Sequence, residues 1–135
     1  MTRPVKVLVV GAGPVGLVLA CHLRPLGMSV RVIEKRAGPS EHSKAIGLQY
    51  RVSEVLARLG VVDRFTAEGG NPTSVNLYAG QERLVQLHFV APARISGRGA
   101  FQPRAILIPQ SRTEAILLEY LRELGGTVEW RTDHP

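Results

Sequence analysis

Cysteine is nearly absent from this chain: Cys21 stands alone, so no disulfide can close within it. Its position inside an apolar helical run marks it as core packing rather than a nucleophile. No apolar stretch is long enough to span a bilayer. Lys and Arg outnumber Asp and Glu, giving a net charge of +6, yet the arginines are scattered and form no run interleaved with aromatics. That distribution speaks against a nucleic-acid surface; it leaves some charge for anionic phosphates and most for solvent. His22, His42, His88 and His134 fall on separate elements without metal-ligand spacing, and no pattern marks a catalytic acid or base. Internal repeats and low-complexity tracts are missing as well. What remains is the composition of a soluble globular protein, with 135 residues, enough for one modest core.

What is present begins almost at the first residue. Residues 5–36 read V-K-V-L-V-V, then G-A-G-P-V-G, then a helical run, then S-V-R-V-I-E-K-R. This is strand, glycine turn, helix, second strand, and an acid where that strand ends. In such a unit Gly11 permits the tight turn, Gly13 lets backbone approach a pyrophosphate, and Gly16 lets helix pack near sheet. The helix offers unpaired N–H groups and the positive end of its dipole to phosphates. Pro14 suits the first helical turn, which can spare an N–H. Glu34 stands at the offset where a carboxylate accepts from a ribose diol, and it disfavours a 2′-phosphate. Lys35 and Arg36 follow at once; a guanidinium there either lies against an adenine or phosphate or is a solvated loop charge. An ordinary βαβ unit with a glycine turn and a surface Glu is the bland alternative. The same region mimics a signal peptide, since Arg3 and Lys6 precede an apolar run ending in V-L-A-C. Three glycines and a proline in dinucleotide register break that run, which predicts the first strand and helix of a cytoplasmic fold.

The remaining chain alternates between the two periods. Leu17, Val18, Leu19, Leu23, Leu26 and Val15 predict a helix over 14–26 that is buried on most sides. Val52, Val55, Leu56 and Leu59 predict a helix stopped by Gly60, with a short helical turn following before Gly69–Gly70. Residues 74–78 and 84–90 read as a hairpin around a turn at 79–82. Residues 91–104, rich in Pro, Gly and Arg, read as a loop, and 105–108 as a short strand. Ser111 and Glu114 match a capping box opening a helix through Leu124, with Ile116, Leu117, Tyr120 and Leu121 on its apolar face. Residues 127–130 read as a last strand. These elements amount to about half of a doubly wound domain.

Three stretches together carry a resemblance to a family. They are V-L-V-V-G-A-G-P-V-G-L-V-L-A with V-R-V-I-E-K-R, S-K-A-I-G-L-Q-Y-R-V-S-E-V-L-A-R-L-G-V-V-D-R-F, and I-P-Q-S-R-T-E-A-I-L-L-E-Y-L-R-E-L-G-G-T-V-E-W. In content, order and separation they resemble the FAD-dependent aromatic hydroxylases, the single-component flavoprotein monooxygenases that act on aromatic or polyketide substrates. The fold so implied is α/β: a partial Rossmann-like FAD-binding domain of the GR2 type, with a parallel sheet, crossover helices and a β-hairpin excursion. The resemblance implies FAD as cofactor and NAD(P)H with O2 as co-substrates of the full-length enzyme. It implies Gly11, Gly13 and Gly16 around the pyrophosphate, Glu34 on the adenosine ribose and Arg36 by the adenine end. Lys44 stands where the family usually has an Arg on the flavin side, keeping the charge without the planar fork. Gly47 would admit backbone near the isoalloxazine, and Gln110 would bond the ribityl or phosphate part. By pattern alone those two are a turn glycine and a strand-end polar residue.

The family's later Asp-Gly and Gly-Asp motifs and its substrate sheet have no counterpart among these residues. The resemblance therefore implies the N-terminal portion of a longer enzyme, not turning over as an isolated chain. Two other readings stand beside it: a non-catalytic remnant, and the dinucleotide module of an NAD-linked oxidoreductase.

Overall fold

The computed structural model of the chain describes residues 5–41, 47–88 and 104–133. Its elements are β1 (Val7–Val10), α1 (Pro14–Leu23), β2 (Val30–Glu34), β3 (Gly47–Leu48), α2 (Tyr50–Arg58), α3 (Val62–Glu68), β4 (Ser74–Ala79), β5 (Glu82–His88), β6 (Ile106–Leu107), α4 (Gln110–Glu123) and β7 (Val128–Trp130). They fall into two compact units, Met1–Ile46 with Pro109–Pro135, and Gly47–Ile108.

The first unit is a parallel sheet in the order β1-β2-β7, with α1 and α4 packed against each other. Val7 lies opposite Val30, and Val32 opposite Val128. Its core collects Val9, Leu17, Ala20, Cys21, Val32, Ile116, Leu117 and Leu121, all buried. Each fully buried leucine contributes about 2 kcal/mol. The Cys21 thiol lies 3.7 Å from the Leu117 carbonyl, and burial pushes it up to about 11. A thiol held protonated in a core packs and does not attack, as its place in the sequence suggests. Arg24, just past α1, donates to the Leu124 carbonyl at 3.1 and 3.2 Å and to the Gly125 carbonyl at 2.6 Å. It thereby satisfies acceptors that the end of α4 cannot use internally.

Two expectations for this unit need correction. α1 is not buried on most sides: Val15 is 84% and Leu19 46% exposed, because the sheet and α4 cover only one flank. The capping box does not form either. Pro109, with ψ of 145°, is the N-cap of α4, and no side chain caps the helix. The Pro109 carbonyl accepts from Arg112 and Thr113, while the Glu114 carboxylate accepts from Arg36 and Ser40 outside the helix and from the Gln110 side chain.

In the second unit, β3 pairs antiparallel with β6, Gly47 opposite Leu107, so the predicted strand at 105–108 does not join the parallel sheet. Leu56, Val61, Phe65, Ile106 and Ile108 are buried here. Ser53, also buried, donates to the Tyr50 carbonyl at 2.7 Å and accepts from the Arg104 N–H at 3.1 Å. β4 and β5 form the predicted hairpin, closed by Gly80–Gln81. Val75, Leu77, Tyr78, Leu84, Val85 and Leu87 on it are exposed. Residues 89–103, including most of the predicted loop, lie outside the described residues. Among the described residues no helix is long and apolar enough to cross a membrane.

Candidate functional site

In an open parallel sheet, ligands lie outside the carboxyl ends of the strands, and here β1 and β2 both end at the glycine turn. The three glycines of that turn differ in what demands them. Gly11 has φ of +105°, which a side chain would strain, and its N–H donates to the Ile33 carbonyl at 2.8 Å. A Cβ on Gly16 would run into the Gly11 carbonyl oxygen and lie 3.2 Å from Val9 Cγ1, so close packing of α1 on the turn requires glycine. Gly13 is different. Its φ is −76°, and a Cβ there would meet nothing within 4 Å. Nothing in the described protein fills that space, so it is open for a bound group to approach the backbone. Pro14 opens α1, and neither a side-chain cap nor an acid in the first turn neutralises the positive end of the helix.

Glu34 closes β2 and is only 7% exposed. Its Oε2 accepts from the Ala12 N–H at 2.9 Å and from Arg36 Nη2 at 3.2 Å, and its Oε1 from the Arg36 N–H at 3.0 Å. Burial alone would push this carboxyl up, but the Arg36 hydrogen bonds, the Ala12 N–H and the guanidinium charge together outweigh it and hold the group down at about 2. Glu34 is therefore an ionised strut between the glycine turn and the end of β2. Of about four acceptor positions on a carboxylate, three face protein donors.

Arg36 extends the same network. Its Nη1 donates to Glu114 Oε2 at 3.4 Å, and its Nη2 also approaches the Ala12 carbonyl at 3.5 Å. The hydrogen bond to Glu34 raises its pKa against the opposing effect of burial, with the Glu114 charge assisting. Lys35 is exposed at the rim of a cavity of about 300 Å³ that Val10, Gly11, Ile33, Glu34, Thr132 and Asp133 also line. The chain beyond β7 is tied to this rim: the Arg131 N–H donates to the Arg36 carbonyl and the Thr132 N–H to the Glu34 carbonyl.

The first unit thus brings Gly11, Gly13, Pro14, Gly16, Glu34, Lys35 and Arg36 to one end of its sheet. Gln110 joins them through Glu114, its Nε2 donating to Glu114 Oε1 at 3.0 Å. Gly47 belongs to the second unit, on β3, where a Cβ would make ordinary contact with Leu107. Lys44 lies outside the described residues. Reading the sequence missed Glu114, whose spacing from Ser111 points to a cap, and Thr132 and Asp133, which carry no motif. Among the described residues no cluster of His, Cys, Asp and Glu could hold a metal ion.

The chain is similar to known proteins over nearly its whole length. The family model described as the FAD binding domain matches residues 4–134. A flavin-dependent monooxygenase of Mycobacteroides abscessus is 36% identical over 130 residues, which are 94% of this chain and 27% of that protein. The 12-dehydrotetracycline 5-monooxygenase/anhydrotetracycline 6-monooxygenase of Streptomyces rimosus is 36% identical over 133 residues, 95% of this chain and 23% of the relative. The crystal structure of the flavin-dependent monooxygenase PieE in complex with FAD and substrate aligns with a TM-score of 0.79 at 26% identity, covering 94% of this chain and 24% of that one. The chain spans about a quarter of the length of these relatives.

Proposed function

Since the chain belongs to the FAD binding domain family, we propose that its first unit holds the ADP half of FAD at the carboxyl ends of β1 and β2. The observation that carries this is the open space at Gly13, beside an uncapped helix start and an ionised carboxylate locked in place. Gly11, Gly13 and Gly16 let the turn and the first N–H groups of α1 approach the pyrophosphate, and Pro14 gives up no donor the phosphates need. Glu34 accepts from the ribose diol with the capacity its protein donors leave, and its charge repels a 2′-phosphate. Lys35 and Arg36 supply positive charge by the adenine end. Gln110 serves the ribityl or phosphate part, and Lys44 and Gly47 the flavin end.

FAD, when bound, supplies the redox chemistry that couples NAD(P)H to O2. The protein's part is to orient the cofactor. By analogy with the relative named for tetracycline intermediates, the substrate class of the whole protein is aromatic or polyketide rings, and the reaction is monooxygenation.

Calorimetric titration of the purified chain with FAD, ADP, FMN and NAD tests the cofactor half of this reading. FAD and ADP should bind in competition, FMN should not compete, and Gly13→Val should abolish both. FMN binding as tight as FAD, or FAD binding untouched by Gly13→Val, would remove the pyrophosphate from the glycine turn. NAD binding tighter than FAD would favour the dehydrogenase module.

A further inference from the structure

Glu114 is among the most deeply buried polar residues described, 1% exposed, and it lies in the early part of α4, well separated in sequence from the glycine turn. A buried carboxylate requires donors, and this one draws them from three places. Its Oε2 accepts from Arg36 Nη1 at 3.4 Å and from the Ser40 N–H at 3.1 Å; its Oε1 accepts from Gln110 Nε2 at 3.0 Å. It therefore joins α4 to both ends of the segment from Arg36 to Ser40. Arg36 in turn donates to Glu34 and to the Ala12 carbonyl inside the glycine turn. One continuous set of hydrogen bonds runs from Ala12 through Glu34, Arg36 and Glu114 to Gln110.

We propose that Glu114 is a positioning residue for the cofactor site: it holds Arg36, the Ser40 backbone and the Gln110 amide in the arrangement that receives FAD. Glu114 itself touches no cofactor in this account; it acts through Arg36 and Gln110. The inference rests on the reading of the first unit as the ADP-binding end of an FAD site. The chemistry favours it over a purely packing role. An apolar side chain would fill the same volume, whereas only an acceptor with two oxygens satisfies a guanidinium, a backbone N–H and an amide together. A site held within a fraction of an ångström depends on such supporting groups.

The test compares FAD affinity, read by flavin fluorescence, in the wild-type chain, Gly13→Val, Glu114→Gln, Arg36→Gln and the double variant Arg36→Gln/Glu114→Gln. Hydrogen exchange at the Ser40 amide is followed in the absence of cofactor. Wild type should bind and Gly13→Val should not. Glu114→Gln should weaken FAD by about tenfold, the ratio expected for losing one charge-assisted hydrogen bond. Arg36→Gln, which also loses its own charge at the adenine end, should weaken FAD at least as much, and the double variant should lose less than the two singles summed, because the pair is coupled. Ser40 should exchange faster in Glu114→Gln while far-UV circular dichroism is unchanged. If Glu114→Gln does not fold, Glu114→Asp, which keeps the charge but shortens its reach to Arg36 and Ser40, takes its place: faster Ser40 exchange with weaker FAD supports the proposal, and wild-type affinity overturns it. Wild-type affinity in Glu114→Gln, or losses that add fully in the double variant, would overturn the positioning role while leaving the FAD site intact. Absence of FAD binding by the folded wild type would overturn both.

Discussion

Arg31 and Arg36 lie five positions apart and each meets a glutamate, but the two meetings share little beyond charge. Arg31 on β2 grips Glu129 on β7 with two parallel hydrogen bonds of 2.7 Å, the fork geometry that carboxylates favour. Both side chains stand in solvent, at 45% and 44% exposure. Arg36 reaches Glu34 at 3.2 Å and Glu114 at 3.4 Å, with single, longer contacts. Its carboxylate partners, however, are buried and also accept from the N–H groups of Ala12, Arg36 and Ser40. Distance alone would rank the exposed pair first. Screening by water and salt reverses the order, since removing one carboxylate of the buried set strands donors that solvent reaches only in part, the Ala12 N–H least of all. Within a few residues the chain passes from a surface ion pair to the junction that fixes the glycine turn.

The strongest way to break this contrast is to move the turn itself. Gly16→Ala places a methyl group against the Gly11 carbonyl oxygen, so α1 must lift from the turn that Glu34 anchors. A loss of about 3 kcal/mol in urea unfolding is expected, at the upper end for overpacking. An unchanged midpoint would mean that the turn is slack and the buried network is not built on it.

Next comes Glu34→Ala, which leaves the Ala12 and Arg36 N–H groups and one side of the guanidinium without their acceptor. About 2–3 kcal/mol of stability should go with it. The same carboxylate gives the contrast a pH dependence. Its folded-state pKa, about 2, is depressed from an ordinary 4.5, so its contribution is fully present above about pH 4.5 and is lost as pH falls toward 2. Urea midpoints measured across that window should fall less steeply in Glu34→Gln than in wild type. Identical slopes would show that Glu34 is not the titrating support.

The smallest effect belongs to the pair with the best geometry. Arg31→Ala and Glu129→Ala should each shift the unfolding midpoint less than Glu34→Ala does, and whatever shift appears should shrink in high salt. A salt-insensitive loss as large as that of Glu34→Ala would overturn the ranking.

Much of the first unit was legible because its residues answer to local rules. The alternation of 5–10 and 29–34, the glycine turn and Pro14 gave β1, α1 and β2, and the acid at the end of β2 proved to be the buried strut. Cys21 read correctly as core. What escaped was set by contacts distant in sequence. Ser111 and Glu114 satisfy the local capping pattern, yet Pro109 begins the helix and Glu114 is drawn to Arg36 and Ser40, more than seventy positions away. The exposure of Val15 and Leu19 was hidden because an apolar run says how much surface seeks cover, not how much cover the neighbours provide. The strand at 105–108 was legible but its partner was not, because a two-residue strand carries no signal for what it pairs with, which is β3. Arg36 read equally well as a loop charge, and its three carboxylate and carbonyl contacts emerge only when turn, strand and helix meet.

One measurement tests the account most directly: flavin-fluorescence titration of FAD into the wild-type chain, Glu34→Ala and Arg31→Ala side by side, each checked for folding by circular dichroism. The account predicts saturable binding to wild type, undiminished binding to Arg31→Ala and loss of binding in Glu34→Ala. A folded wild-type chain that does not bind FAD, or a Glu34→Ala chain that binds it as tightly as wild type, would contradict it.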